Sequence, residues 1–535
     1  MAEAGSGESG EGEMASEASI TGVATAVPLF VGYTECAADP DTRASLYGVP
    51  FAIGSMAEFR RHFGGPAPIR YGVQPSTSSH PDFTAAVGDG AGGTRLQPFD
   101  VVTRPAVAAF NLYWQMLLFF ANGGGECVVV SAGSYWTGRS PLSPPGEVSA
   151  AWTPRPIAAS ELIAALAAGG DYLGATMIVV PEACLLEPAD YAIVAQAMLA
   201  QAGGLGDRMA ILDPPGCRTA DTIAKLQDCQ SNLWEALAPQ AGAASYGAAY
   251  APALDTGAVG RSDILFPSLA GADPAGNTAI NAILTTQAGQ LYSGSQLATV
   301  QEAIAKAFPL STAGDAGDPA AVTALLVNAL PVYATITDLV AAQVNIQPPS
   351  GMIAGIWSES DAQNGVWSAP ANIALRLVSG PRVLVSDGQQ AGFNVPVNGM
   401  AINILRAQPG RGTVIWGART LDGNSDDHRY VQVRRTLIYI ERSIRVVLET
   451  YAFSANSAAT WVSVTAAVSA FLAGVWQAGG LIGARPSEAF SVRCGLGTTM
   501  TGQDIIDGNM IVQMTLQLIH PAQFIELSLS QPVGG

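Results

Sequence analysis

Lysine is scarce in this chain, which carries only two lysines among its 25 basic residues. Both of them, Lys225 and Lys306, follow an alanine. A phosphate-binding P-loop needs a lysine directly after a glycine, because the glycine-rich backbone and the lysine hold the phosphates together. The sequence therefore excludes a P-loop ATPase.

A glycine pattern of the dinucleotide-binding type is present at Gly88, Gly90 and Gly93. Such a pattern holds a pyrophosphate only where a strand precedes it and a helix follows it. We expect no strand before Gly88, and Thr94–Pro98 (TRLQP) stands where the helix would begin. The pattern is therefore interpreted as a flexible loop, and no cofactor is expected.

Cysteine and histidine are also few, with six and four residues. The cysteines are scattered, with no CxxC motif and no neighbouring histidine, which is typical of reduced thiols in a protein folded in the cytoplasm. A zinc site needs clustered thiolate or imidazole ligands, so no metal is expected. The residues are Cys36, Cys127, Cys184, Cys217, Cys229 and Cys494, with His62, His80, His428 and His520.

No histidine lies in a recognisable catalytic motif, so each is interpreted as a surface or structural residue. Asp213 follows a predicted strand and is interpreted as the cap of the turn at Pro214 and Pro215. One enzymatic alternative stays open, a hydrolase that uses a parallel-sheet domain with Asp213 and Ser245 as its reactive residues.

The chain has no excess of positive charge, and its formal net charge is -18. Nucleic acid as a main partner is excluded, because phosphate binding needs a basic face that releases counterions. From residue 351 onward there are 12 arginines and 12 acidic residues, so the whole negative excess lies in residues 1–350. We expect the acidic part to face solvent and the neutral part a partner, although a soluble acidic protein with a well-paired C-terminal domain explains the charge equally well.

The sequence shows no signal-peptide pattern and no membrane-length hydrophobic run. Residues 1–19, rich in glycine, serine and glutamate, are predicted to form a disordered acidic leader. The most apolar long stretch, Ala106–Phe120, is interrupted by Asn111 and Gln115 and is too short for a bilayer. We therefore expect a soluble protein without direct membrane insertion.

What the sequence does contain is an alternation of short apolar strands with helices, in a chain whose 49% hydrophobic share can bury more than one core. Such an alternation of strands and helices is typical of a mostly parallel sheet covered by helices, so the predicted class is multidomain α/β. Residues 256–345 give no clear pattern. The predicted strands are Cys127–Ser131, Thr176–Val180 and Met209–Leu212, and the predicted helices are Phe110–Phe120, Ala158–Ala168 and Pro188–Gln201.

A turn-rich segment at Pro348–Gly351 predicts the start of a C-terminal domain. Its strongest helix, Tyr430–Tyr451, has one apolar stripe, and a second amphipathic helix covers Trp461–Gln477. Strict alternation over Met510–Leu518 predicts a strand. The first helix carries Arg434, Arg435, Arg442 and Arg445, which form either a basic ridge that docks on an acidic partner or a solvated face with ordinary ion pairs.

Both ends of the chain are predicted to be extended β arms. Residues 20–33 are rich in β-branched and apolar residues, and apolar and polar residues alternate after Pro521. Strands with unpaired edges bind other strands. The candidate residues for pairing between subunits are Ile20, Val23, Thr25, Val27, Phe524, Ile525, Leu527 and Leu529.

Several segments in this order resemble the contractile tail sheath family, and together they span most of the chain. The most specific lie in the C-terminal part. The segments are TGVATAVPLFVGYT (21–34), FFANGGGECVVVS (119–131), DRMAILD (207–213), AASYGAAYAP (243–252), GVWSAPAN (365–372), VIWGARTL (414–421), the arginine-bearing helix (429–444) and FSVRC (490–494).

The resemblance implies a particular domain plan. The N-terminal arm and first strand would cover residues 20–33, and a C-terminal β arm would cover residues 522–535. The outer domains would cover residues 34–350 and contain a mostly parallel sheet covered by helices. The inner, tube-facing domain would cover residues 351–521 and contain a mixed sheet with flanking helices. The four arginines would then dock on the inner tube.

The resemblance also implies a structural protein and not an enzyme. Copies of the chain would stack as hexameric rings around an inner tube protein, and contraction from a metastable extended state would drive the tube through a target envelope. Baseplate and tail terminator or cap proteins would be further partners. Assembly is expected in the cytoplasm, as part of a virion tail or of a released or cell-anchored injection particle; a non-contractile shell or baseplate component is the other alternative.

Overall fold

The computed structural model describes residues 22–68, 70–90, 92–103, 110–140, 142–146, 152–269, 274–310, 318–395 and 399–521. The predicted leader, Ile20 and the predicted C-terminal arm with its four candidate residues lie outside this part of the chain.

The described strands, in chain order, are β1 (Pro28–Thr34), β2 (Phe51–Ile53), β3 (Tyr71–Pro75), β4 (Phe83–Gly88), β5 (Thr94–Thr103), β6 (Cys127–Ser134), β7 (Trp136–Thr137), β8 (Thr153–Pro154), β9 (Met177–Val179), β10 (Met209–Leu212), β11 (Gly247–Ala251), β12 (Leu254–Thr256), β13 (Ile346–Gln347), β14 (Val378–Pro381), β15 (Ile402–Gln408), β16 (Gly412–Trp416), β17 (Phe490–Cys494) and β18 (Val512–Leu516).

The described helices are α1 (Met56–Phe63), α2 (Leu112–Ala121), α3 (Ala159–Gly170), α4 (Pro188–Leu205), α5 (Ile223–Leu237), α6 (Pro274–Leu291), α7 (Gly294–Ala307), α8 (Pro319–Ala329), α9 (Pro331–Val344), α10 (Ser350–Asn364), α11 (Asp387–Asn394), α12 (Val431–Thr450), α13 (Ala458–Gln477), α14 (Pro486–Ala489) and α15 (Gly502–Ile506).

The chain divides into two compact units. Among the described residues, the large unit comprises those of Thr25–Asn364 and Ala369–Arg434, and the small unit comprises Gly22–Ala24, Gly365–Ser368 and Arg435–Pro521. The division by packing differs from the predicted boundary at residue 351, because residues 369–434 pack with the large unit. The tube-facing role of residues 351–521 stays a prediction.

An eight-stranded sheet forms the centre of the large unit, in the order β16-β15-β11-β10-β9-β1-β6-β2. The six strands from β15 to β6 run parallel, and β16 and β2 at the two ends pair antiparallel with their neighbours. β9 and β10 are buried along their whole length, as continuous apolar runs in a parallel sheet require. The predicted α/β class is confirmed, as are the predicted strands and helices between residues 110 and 212.

Two glycines let helix α10 approach helix α2 closely. A Cβ at Gly351 would lie 2.6 Å from the carbonyl oxygen of Gln115, and one at Gly355 would lie 2.5 Å from that of Phe119. The Gly351 amide also donates to Gln115 Oε1 at 2.9 Å. No side chain larger than hydrogen fits at these two positions, so the contact depends on glycine.

Residues 71–103 and 257–345 build a second core within the large unit. The sheet β3-β5-β4 packs with α6 to α9 around Phe99, Phe308 and Tyr333. The segment without a clear sequence pattern is therefore mainly helical. The expectation that no strand precedes Gly88 is wrong, because β4 ends there; β5 follows, and the glycine pattern is the turn of a β-hairpin.

The small unit has its own core, formed by α12, α13 and the sheet β17-β18. The two predicted helices and the strand over Met510–Leu518 are confirmed. By length and composition α13 could cross a bilayer, as could α8 and α9 if that bent pair were one span. Because α13 buries Val464, Val468 and Leu472 in the core, a packed helix explains the same apolar composition.

Candidate assembly interface

The first described residues pack on the chain's own elements. The Val23 amide donates to Ser443 Oγ of α12 at 3.2 Å, and Gly22 lies directly against the Tyr439 ring. The Val27 amide donates to Thr176 Oγ1 at 2.9 Å. Val23 and Val27 thus have partners within their own chain, and the pairing of the N-terminal arm with another subunit stays a prediction.

A two-stranded ribbon, β17 paired with β18, lies near the C-terminal end of the described chain. Its antiparallel register pairs Phe490 with Leu516 and Cys494 with Val512. One face packs Val492, Met514 and its neighbours on the core, and the other face is polar and exposed. Among the described residues no third strand pairs along β17 or β18, although Leu481 bridges to Leu518 and the Ile482 amide donates to Gln517 O at 2.8 Å, just after β18. Most of the ribbon's edge groups therefore have no strand partner.

The predicted arginine ridge is divided by burial. Arg434 is 9% exposed and Arg435 is 4% exposed, so neither presents a free guanidinium to a partner. Arg434 donates from Nη2 to Ser245 Oγ at 2.7 Å, and its guanidinium stacks 4.3 Å from the centre of the Tyr246 ring. Arg445 is exposed and Arg442 is partly buried. Docking of the four arginines on an inner tube stays a prediction.

The sequence contained a signal for this burial. Arg434 and Arg435 stand between Val431 and Ile438, which occupy the same helical face three or four residues away and are buried. An arginine flanked in this way packs its stem on the core and needs acceptors or an aromatic ring for its head.

The two residues of the hydrolase alternative lie at opposite ends of two adjacent strands of the large sheet. Asp213 follows β10 at its C-terminal end, whereas Ser245 precedes β11, which is parallel to β10. The register pairs Leu212 with Ala249, which separates the two residues by roughly 16 Å along the strands. The proposed pairing of Asp213 with Ser245 is therefore wrong.

Asp213 does cap a backbone group, but not in the turn that the sequence suggested. Its Oδ1 accepts a hydrogen bond from the Ser350 amide at 3.0 Å, at the start of α10. Ser245 is held by Arg434 and not by a general base. Among the described histidines, His62 packs on Phe51 with 4.5 Å between the ring centres, and burial lowers the pKa of His428.

The described residues contain no group of three or more histidine, cysteine, aspartate or glutamate side chains that could hold a metal ion. A cavity of about 320 Å³ lies in the large unit between Tyr71, Tyr113, Trp114 and Val340. The candidate interface is therefore the ribbon β17-β18 together with the exposed surface of the small unit around it.

Comparison with known proteins gives the same picture. Residues 424–531 match the family model of the phage tail sheath C-terminal domain. The anti-feeding prophage (AFP) helical sheath in its contracted state has a TM-score of 0.56 at 24% identity, over 99% of this chain and 100% of that chain. The PVC sheath complex of an extracellular contractile injection system, also contracted, has a TM-score of 0.55 at 22% identity, over 100% of this chain and 99% of that one.

A chain of the AFP baseplate in its contracted state has a TM-score of 0.58 at 20% identity, over 99% of this chain and 98% of that chain. No curated protein sequence matches.

Over nearly its whole length the chain has the fold of the AFP and PVC sheath chains. Residues 424–531 are similar to the phage tail sheath C-terminal domain, which agrees with the resemblance predicted from the sequence.

Proposed function

We propose that this chain is the structural subunit of a contractile sheath. Copies stack as hexameric rings around an inner tube, and the sheath contracts from a metastable extended state to drive that tube through a target envelope. Baseplate and terminator or cap proteins bind its two ends. The sheath assembles in the cytoplasm and becomes part of a virion tail or of a released or cell-anchored injection particle.

The observation that carries this proposal is the ribbon β17-β18. The ribbon is held by its apolar face on α12 and α13, and the groups along its edges can pair with an added strand. The alternating residues Phe524, Ile525, Leu527 and Leu529 follow about eight residues after β18 and have the pattern of such a strand. Added to a neighbour's ribbon, they would link subunits through main-chain hydrogen bonds while the large units move.

Burial of surface between subunits supplies the work of contraction in this proposal. If each subunit gains roughly 1,000 Å² of contact, the gross gain is about 25 kcal/mol, and the net gain is far smaller because association costs entropy. A small net gain for each of many copies adds up along the sheath. The chain therefore needs no nucleotide to contract.

The proposal is tested by electron microscopy of the purified chain with and without residues 522–535. We expect long tubes or ring stacks from the full chain, and a folded monomer from the truncated one. A chain that lacks residues 1–19 is the matched control and should still polymerise. A truncated chain that polymerises like the full one would contradict the role of the C-terminal arm.

The match to a chain of the contracted AFP baseplate favours a second candidate, a baseplate or shell component that does not contract. The two are separated by the lengths of the particles. A contractile sheath has an extended and a shorter, wider form around the tube, whereas a shell component has one form under every condition.

A further inference from the structure

Two buried carboxyl groups lie at the same edge of the large sheet. Glu182 follows β9 and is 0% exposed, and Asp213 follows β10 and is 5% exposed. β9 and β10 are adjacent and parallel, so both residues leave the sheet at its C-terminal edge. Neither forms a salt bridge within the described residues, which is unusual because a buried charge normally has an ionic partner.

Glu182 attaches helix α2 to the sheet. Its Oε1 accepts from the amides of Asn111 at 3.2 Å and Leu112 at 2.9 Å, where α2 begins. Its Oε2 lies against Gly32 of β1, where any Cβ would overlap it, and has no hydrogen-bond partner among the described side-chain and backbone groups. The glycine leaves the space that the carboxyl group occupies.

Asp213 attaches helix α10 in the same way, through the Ser350 amide. Helices α2 and α10 are the pair that pack closely through Gly351 and Gly355. One carboxyl group therefore holds the first turn of each partner in this helix pair.

Burial opposes ionisation of both groups more than the helix amides favour it. Removal from water raises the pKa of Glu182 to about 7, against the lowering effect of the amide hydrogen bonds, and raises the pKa of Asp213 to about 7 as well. Among the described residues, no cation is found whose charge would offset this cost at either carboxyl group.

The other titratable groups that face the two carboxyls come from every neighbouring element. Burial raises the pKa values of Tyr33, Tyr135, Tyr191 and Cys229. A hydrogen bond with Cys184, together with burial, raises the pKa of Cys217, so these groups stay neutral near pH 7. Arg218 reaches the site only indirectly, through Asn111 Oδ1 at 3.1 Å. The facing groups are Tyr33, Tyr113, Tyr135, Cys184, Tyr191, Cys217, Arg218 and Cys229.

We propose that Glu182 and Asp213 form a proton-dependent latch, which holds α2 and α10 on the sheet edge tightly when both carboxyls are protonated and loosely when they ionise. The latch is a property of the folded protomer and does not depend on polymerisation. The subunit is then most stable in mildly acidic surroundings and loosens as the medium becomes alkaline.

The sign follows from linkage. In the unfolded chain these carboxyls ionise near their ordinary values of 4.5 and 3.8, and in the folded chain they keep their protons to about pH 7. The folded state binds more protons between these limits, so its stability is greatest below pH 4 to 5 from this cause and falls as pH rises through 7. Above about pH 8 no further change is expected from these groups.

The test is the melting temperature of the full chain from pH 5.5 to 8.5, for the wild type, Glu182→Gln, Asp213→Asn and the double variant. The wild type should melt several degrees lower at pH 8.5 than at pH 6, each single variant should lose part of this difference, and the double variant most of it. Glu235→Gln, which removes one exposed charge from the same unit, should keep the wild-type difference. An unchanged pH dependence in the double variant would overturn the latch.

Hydrogen exchange of the wild type keeps the proposal testable if a variant does not fold. After correction for intrinsic rates, the amides of α2 and α10 should open several-fold more often at pH 8.5 than at pH 6, while those of α13 in the small unit should not. Equal changes in all three helices would show a general effect of pH and would reject the latch.

Discussion

The two units of this chain differ in how far each one covers its own β-structure. In the large unit the sheet is flanked by helices, and the outer edge of β16 is bonded by a neighbouring segment: the Asn372 amide donates to Ile415 O at 2.7 Å and the Leu375 amide to Thr413 O at 2.8 Å. In the small unit the ribbon β17-β18 has two strands and no third one in the described residues. In our proposal, other chains add strands to the ribbon of the small unit.

Surface composition follows the same division. No charged residue occurs between Glu449 and Arg485, although 13% of the chain is charged, and α13 lies within this stretch. Only 28% of the residues in its apolar window are buried. An exposed helix face without charge is typical of a surface that a partner covers.

The largest change in the free energy of unfolding is expected when two glycines, one in a helix of each unit, are compared as alanine variants. Gly355→Ala places a methyl group against the Phe119 carbonyl oxygen in the large unit, whereas nothing lies within 4 Å of a Cβ at Gly474 in α13. We expect Gly355→Ala to lower the free energy of unfolding by about 2 kcal/mol or more. Gly474→Ala should raise it by about 0.5–1 kcal/mol, because alanine restricts the unfolded chain.

Denaturant unfolding with separate probes for the two units measures both effects. Equal stability of Gly355→Ala and the wild type would mean that α10 can move away from α2, and that the large unit is less rigid than its packing indicates.

Two arginines of the same helix provide a second comparison. Arg434→Met removes the donor that Ser245 Oγ binds in the large unit, and leaves that buried hydroxyl without it. We expect a loss of about 1–3 kcal/mol in the free energy of unfolding. Arg445→Met changes an exposed side chain of the small unit and should stay within about 0.5 kcal/mol of the wild type. Thermal unfolding that ranks the two variants the other way would contradict the assigned burial.

The sequence could predict elements that depend on neighbouring residues, but not contacts between residues far apart in the chain. Strand β10 was predicted residue by residue, because its apolar run Met209–Leu212 is bounded by charged residues and by Asp213-Pro214. The same holds for α12 and α13, whose apolar stripes are local. The sheath resemblance was available because short motifs recur in a fixed order along the chain.

What could not be predicted depends on residues far apart in the sequence. Asp213 binds an amide 137 positions away, and the need for Gly355 arises from a helix more than 200 residues earlier. No spacing rule encodes such contacts. The turn at Gly88 was misjudged for another reason, since the short strand β4 has only Phe83, Ala85 and Val87 as its buried face.

A smaller effect is expected at the exposed part of the arginine-bearing helix. Reversal of charge in the pair Arg442→Glu and Arg445→Glu should weaken binding of the subunit to its inner tube several-fold at low salt, because exposed ion pairs contribute about 0.2–1 kcal/mol each and are screened by salt. Co-sedimentation with purified tube at two salt concentrations measures it. Arg485→Glu, another exposed arginine of the small unit, is the control, and an equal loss there would show that only net charge matters.

The smallest effect concerns Phe453, which follows α12 in the small unit. Its side chain is fully exposed and its backbone has a φ of 68°, a left-handed conformation that asparagine adopts more readily than phenylalanine. Phe453→Asn should therefore stabilise the monomer by a few tenths of a kcal/mol, up to about 1 kcal/mol. If the polymer covers this ring, the same change should raise the concentration needed for assembly. Leu173→Asn, at an exposed position of the large unit, should alter neither, so a variant at Phe453 that assembles as readily as the wild type would place the covered surface elsewhere in the small unit.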